Sequence, residues 1–139
     1  MIYLGVDLGD RRIGFATADD DCLIAMTAGC AAVKNPAQAP QAVGEKYREV
    51  GAGLAVVGLP LSMNGRKNEK SRAAEQVAAA LRAQGLQVEL WDERLTTEEA
   101  RKTLIAGGVS RKERGGKIDA LAAQIILHSY LAAHPSIKN

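Results

Sequence analysis

The sequence predicts an α/β fold: a mixed five-stranded sheet that opens with an antiparallel hairpin, continues with parallel strands and carries helices on both faces. Three observations carry the expectation. Ile2 to Val6 is a nearly continuous apolar run, which suits a central strand covered on both sides. Gly9-Asp10 is a turn signal, and the apolar stretch from Ile13 to Thr17 completes a hairpin with that first strand. Beyond the hairpin, strand-like runs alternate with helical periodicity, which calls for right-handed crossovers and parallel pairing.

A third, weaker strand is expected within residues 23–28. Pro36 and Pro40 punctuate a polar stretch before a helical segment that ends near Val50-Gly51. Residues 54–59 read as a buried strand stopped by Pro60, and a loop runs from there to about Asn68. Ala74, Val77, Ala78 and Leu81 recur at the spacing of a helical apolar stripe, with Gly85 placed to end the helix. Residues 88–91 form the last strand, ended by Asp92-Glu93. Thr96 and Glu99 make a capping box that opens a helix reaching Gly107-Gly108. A basic, glycine-containing loop is expected over 108–117, and a final helix, largely buried, from Ile118 to about Ala133.

The chain has 139 residues, within the usual size of one domain, and residues 1–139 are read as a single unit with no internal repeat. At 47% hydrophobic and 24% charged, its composition is that of an ordinary water-soluble protein. No apolar stretch approaches the roughly 18 residues of a membrane span, and the N-terminus lacks the basic lead of a signal peptide, so a cytoplasmic location is expected. Cys22 and Cys30 lack metal-ligand spacing and read as reduced thiols. The 18 Lys and Arg against 16 Asp and Glu leave a net charge of +2, which neither announces nor excludes a nucleic-acid partner.

Ligands of open α/β sheets bind beyond the carboxyl ends of the strands. Asp7 ends the first strand, Asp92-Glu93 ends the last, and Asp119 opens the final helix in this reading. Asp7 follows five apolar residues, and a carboxylate buried there without a partner costs several kcal/mol. Each acid alone has an ordinary explanation: a turn bond for Asp7, an arginine partner for Asp92 or Glu93, a helix dipole for Asp119. Their coincidence at one predicted sheet edge favours a shared cation, and oxygen donors suit magnesium or manganese. Two such ions can activate water and stabilise a leaving oxygen in phosphodiester cleavage.

Four segments together are more specific: residues 7–14 (Asp7-Leu8-Gly9 to Gly14), 57–65 (Val57-Gly58-Leu59-Pro60 to Gly65), 92–97 (Asp92-Glu93-Arg94 to Thr97) and 118–123 (Ile118-Asp119 to Ala123). In this order they resemble the YqgF/RuvX family over essentially the whole chain. That family comprises candidate nucleases of precursor 16S rRNA, also described as candidate Holliday junction resolvases, with an RNase H-like fold. The resemblance implies a divalent-metal-dependent endonuclease of ribosome biogenesis, with Asp7, Glu93 and Asp119 as catalytic and metal-binding acids. Of Asp92 and Glu93, strand alternation lets only one point into the site, and the family's pattern selects Glu93.

Basic residues cluster around the expected edge. Arg11 and Arg12 follow Asp7; Arg66, Lys67, Lys70 and Arg72 lie in and after the loop beyond Pro60; Arg101, Lys102, Arg111, Lys112, Arg114 and Lys117 lie between the last strand and the final helix. Arg11, Arg12, Arg66, Lys67, Arg111, Lys112, Arg114 and Lys117 are the candidate contacts to a phosphate backbone of precursor rRNA or branched DNA. At 4% aromatic residues, a base-stacking platform is not expected, and Trp91 and Tyr3 read as core. His128 and His134 lack zinc spacing and take no role. Two competing readings remain open: an ATPase of the actin and hexokinase type, from the Asp7-x-Gly9 turn, and a nucleic-acid-binding assembly module without turnover. Either a monomer or a homodimer is compatible with the sequence.

Overall fold

β1 (Ile2–Leu8) is the middle strand of a five-stranded sheet in the computed structural model, which describes residues 1–21, 24–96 and 111–134, with side chains in the last segment from Ala120 onward. β2 (Arg12–Asp19) and β3 (Met26–Ala32) follow antiparallel on one side of it. α1 (Ala39–Val50) leads to β4 (Ala52–Leu59), and α2 (Glu69–Ala83) leads to β5 (Val88–Asp92), both strands parallel to β1 on its other side. α3 (Arg111–Ala133) closes the fold. The order β3-β2-β1-β4-β5 is the mixed sheet that the apolar runs predict.

Alternation along β1 divides two cores. Leu4 and Val6 point to one face, where they meet Ile13, Phe15 and Val57 beneath Val43 of α1 and Leu81 of α2. Tyr3 points to the other face, with Val56, against Ala123, Ile126, Leu127 and Tyr130 of α3. Close approach of α3 depends on a missing side chain. A Cβ on Gly5 would stand 2.8 Å from the Ala123 carbonyl oxygen and 2.8 Å from Leu127 Cβ, so the helix backbone itself fills that space.

Two expectations need correction. The third strand lies over Met26–Ala32 rather than within 23–28. Its small residues, mostly exposed, carry no hydrophobic alternation, and pairing with β2, from Arg12 against Ala32 to Thr17 against Met26, determines where it runs. The final helix begins at Arg111, so residues 111–117 are helix and not loop, and Asp119 lies inside the helix rather than in its first turn. Gly115 and Gly116 look like breakers, yet each costs only about 1 kcal/mol in a helix interior. The deeply buried apolar face from Ala120 to Leu131 outweighs that cost.

The helix expected over 96–107 lies, beyond Thr96, outside the described residues, as do Cys22, Arg101 and Lys102. Cys30 is an exposed free thiol. Among the described residues no helix is long and apolar enough to cross a membrane.

Because the obstacle at Gly5 is main chain, Gly5→Ala should force α3 off the sheet. We expect a loss of roughly 1–3 kcal/mol in urea unfolding, the usual range for overpacking a core. Ala16→Gly, on the neighbouring strand and also buried, leaves the helix seated and serves as the comparison.

Candidate metal and nucleic-acid site

The carboxyl ends of β1, β4 and β5 lie side by side because the three strands are parallel neighbours. Asp7 is the sixth residue of β1 and, by alternation, shares the α3 face with Tyr3 and Gly5. Glu93 follows β5 immediately, in a short 3-10 turn, Glu93–Leu95, closed by the Thr96 hydroxyl donating to the Glu93 carbonyl at 2.7 Å.

Glu93 occupies a gap left by a second glycine. A Cβ on Gly58 would come 3.1 Å from both Cδ and Oε2 of Glu93 and 2.6 Å from Ile126 Cδ1. The Glu93 carboxyl therefore lies over the backbone of β4, between the sheet and α3. Burial there, and after it the charge of Asp7, push its pKa up to about 7. Lys70, in the first turn of α2, opposes that rise, and Asp92 adds to it more weakly. Asp7 and Glu93 thus act on each other, and the charge of Lys70 reaches Glu93.

Asp92 is committed elsewhere. It accepts from the Arg94 amide at 2.9 Å, from Nε at 3.0 and 3.1 Å and from Nη2 at 2.7 Å, and this pairing holds its carboxyl below the usual range. Strand alternation does not decide between Asp92 and Glu93, because the chain leaves the strand between them. What distinguishes the two is that Arg94, two residues on, engages the Asp92 carboxylate.

Asp119 stands one helical turn before Ala123, whose carbonyl faces Gly5. Its side chain, like those of Arg111, Lys112, Arg114 and Lys117, lies outside the described residues; all five positions are on α3. Among the described residues no three His, Cys, Asp or Glu side chains are grouped to hold a metal. The pair that is described suits one: two carboxylates, one desolvated and raised by the other, are oxygen donors whose repulsion a divalent cation removes.

The basic residues divide by location. Arg11, in the β1–β2 turn, and Arg12, at the start of β2, are exposed at the same end of the sheet as Asp7, where the Gly9 amide donates to the Arg12 carbonyl at 2.9 Å. Arg66 is exposed in the loop between β4 and α2. Lys67 pairs with Glu75 at 2.9 Å, so part of its charge serves α2. That helix is started by reciprocal caps: Asn68 Oδ1 accepts from the Ser71 amide at 3.0 Å, and Ser71 Oγ accepts from the Asn68 amide at 2.7 Å. The caps fix the turn that carries Lys70, which the sequence shows only as one member of a basic cluster. Tyr3 is buried as expected, whereas Trp91 is half-buried, donates to Ser129 Oγ at 3.0 Å and meets Tyr130 edge to face. His134 stacks on Tyr130.

Three comparisons with known proteins bear on this edge. The family model described as RuvX, Holliday junction resolvase, matches residues 1–133. A protein of Pelotomaculum thermopropionicum, named as a candidate pre-16S rRNA nuclease, is 44% identical over 133 residues, covering 94% of this chain and 86% of its own. A Geobacillus kaustophilus protein of the same name is 40% identical over 137 residues, covering 94% and 97%. Among solved structures, Thermus thermophilus RuvC in complex with a Holliday junction substrate superposes with a TM-score of 0.65 at 18% identity, over 98% of this chain and 96% of that one. The fowlpox virus resolvase with junction DNA gives 0.58 at 13%, over 96% and 98%. At these identities the structural likeness shows the fold, which is RNase H-like.

The raised pKa of Glu93 predicts a pH dependence of folding. Between the ordinary carboxyl value of 4.5 and about 7 the folded state holds a proton that the unfolded state has released. Stability should therefore fall as pH rises through that interval and level off above it. Glu93→Gln abolishes the fall, leaving the variant more stable than wild type above pH 7 by about 1–2 kcal/mol, after allowance for solvent screening. Urea unfolding at pH 5 and pH 8, without divalent ions, measures it.

Proposed function

The chain belongs to the RuvX family, and from that membership we propose that it is a divalent-metal-dependent endonuclease which processes the 5′ end of precursor 16S rRNA in the cytoplasm. Nuclease chemistry is supported by the family, by the names of the curated relatives and by a fold shared with resolvases. The single observation that carries the site is the mutual action of Asp7 and Glu93, from opposite sides of β4, at one end of the sheet.

Asp7 and Glu93, with Asp119 contributed by α3, would hold magnesium or manganese. Bound there, the metal supplies an activated water and stabilisation of the leaving oxygen. The chain's own residues do the remainder. Glu93 would be held as the carboxylate with a divalent cation bound, since the cation's charge favours the ionised form that burial and Asp7 disfavour. Lys70, exposed in the first turn of α2, places a positive charge that acts on Glu93 and is open to a phosphate oxygen. Arg11, Arg12 and Arg66 stand exposed near the same edge, and Arg111, Lys112, Arg114 and Lys117 follow on α3, as contacts to neighbouring phosphates.

Cleavage of branched DNA is the second reading, favoured by the family's description and by the likeness to two junction-bound resolvases. Purified protein with magnesium or manganese, given end-labelled precursor 16S rRNA and a four-way DNA junction in parallel, separates the two. We expect the RNA to be cut at a discrete site, with Asp7→Asn lowering the rate by at least about 100-fold, as loss of a metal-held catalytic group does. Undiminished cutting by Asp7→Asn removes Asp7 from the mechanism. Binding that survives loss of all three acids, without products, returns the protein to the assembly-module reading.

A further inference from the structure

The loop between β4 and α2 leaves the sheet between the strand that carries Asp7 and the strand that leads to Glu93. Near its tip Met63 is 92% exposed, more than any other large apolar side chain among the described residues. The fold has no use for it there, since an apolar side chain left in water contributes nothing to burial.

The loop that displays it is tightly built. The Ser62 amide donates to the Arg66 carbonyl at 3.0 Å, the Gly65 amide to the Ser62 carbonyl at 2.7 Å, and the Arg66 amide to Asn64 Oδ1 at 3.1 Å. Gly65 closes the turn at a φ of +82°, a conformation that side-chain-bearing residues rarely adopt. From outside the loop, Arg94 Nη1 reaches the Met63 carbonyl at 3.4 Å, and its guanidinium is held by Asp92 through Nε and Nη2. Main chain is restrained on both sides of Met63 while its side chain projects freely.

We propose that Met63 is an apolar wedge that enters the base stack beside the phosphodiester held at Asp7 and Glu93, with the Asp92–Arg94 pair as the strut that presents it. The inference rests on the nuclease reading. A wedge must be apolar, protruding and restrained, and methionine is among the side chains that unstack base steps in this way. A polarisable thioether packs against any base, so the contact selects an unstacked step rather than a sequence. The neighbouring exposed Arg66 takes the phosphate side of the same strand. The amides of Ser62 and Gly65 and the side-chain Oδ1 of Asn64 serve the turn internally, and Met63 is the loop's outward apolar contact.

The test uses a 2-aminopurine placed beside the mapped cut, in precursor 16S rRNA and in a four-way DNA junction. Fluorescence reports unstacking on binding, read in an Asp7→Asn background so that no cutting intervenes. Whichever nucleic acid is the substrate, we expect a fluorescence rise that Met63→Ala reduces by at least about half, and a fall in kcat/KM of roughly 5–20-fold, the loss typical of one buried apolar contact. Met63→Leu should stay within about twofold, and the salt dependence of binding should not change, because no phosphate contact is lost. Cutting by wild type, with Met63→Ala giving the same fluorescence rise, overturns the wedge and leaves the nuclease reading intact. Wild-type protein that neither binds nor cuts either probe overturns both.

Discussion

Two carboxylates held together where water is scarce are the constraint on which the rest depends. Asp7 ends the middle strand, Glu93 follows the edge strand, and β4 between them brings a glycine to the point where a side chain would push Glu93 away. The arrangement opposes folding, since the Glu93 carboxyl must either keep its proton to about pH 7 or ionise beside another negative charge. A fold tolerates such a pair when something binds it. A divalent cation held there would reverse the sign of the interaction and turn the repulsion into affinity for the ion.

The neighbouring features serve that pair. Gly5 and Gly58 let α3 lie directly on the sheet, so that the helix bearing Asp119 covers the face that Asp7 and Glu93 share. The Asn68–Ser71 caps start α2 where Lys70 acts on Glu93. Arg94 binds Asp92 through both side-chain and main-chain bonds, and the same guanidinium reaches the loop above. The net charge of +2 averages over a chain in which Asp7 and Glu93 share one end of the sheet with the exposed Arg11 and Arg12.

Much of this was legible in the sequence, for identifiable reasons. β1, β2 and β4 are buried along most of their length, and burial of that kind writes itself as an apolar run. β3 is an edge strand of small residues, mostly exposed, so no pattern marks it. The start of α3 was hidden because Gly115-Gly116 resembles a turn, and helix continuation there depends on burial further along. Asp7 and the Asp92-Glu93 pair were read as candidates from their place at strand ends, and the family pattern selected Glu93 within that pair. Lys70 and Met63 were not singled out, because their significance comes from which loop lies beside which strand, a fact of tertiary placement.

The central claim is that Glu93 is raised by burial and by Asp7 acting together. Titrating the Glu93 carboxyl by carbon-13 NMR, without and then with magnesium, tests it most directly. The account predicts a midpoint of about 7 in the metal-free protein, a lower midpoint in Asp7→Asn that still exceeds the ordinary 4.5 because burial persists, and a fall on adding magnesium to the wild type. A midpoint near 4.5 in the metal-free protein, unmoved by Asp7→Asn or by magnesium, would contradict it.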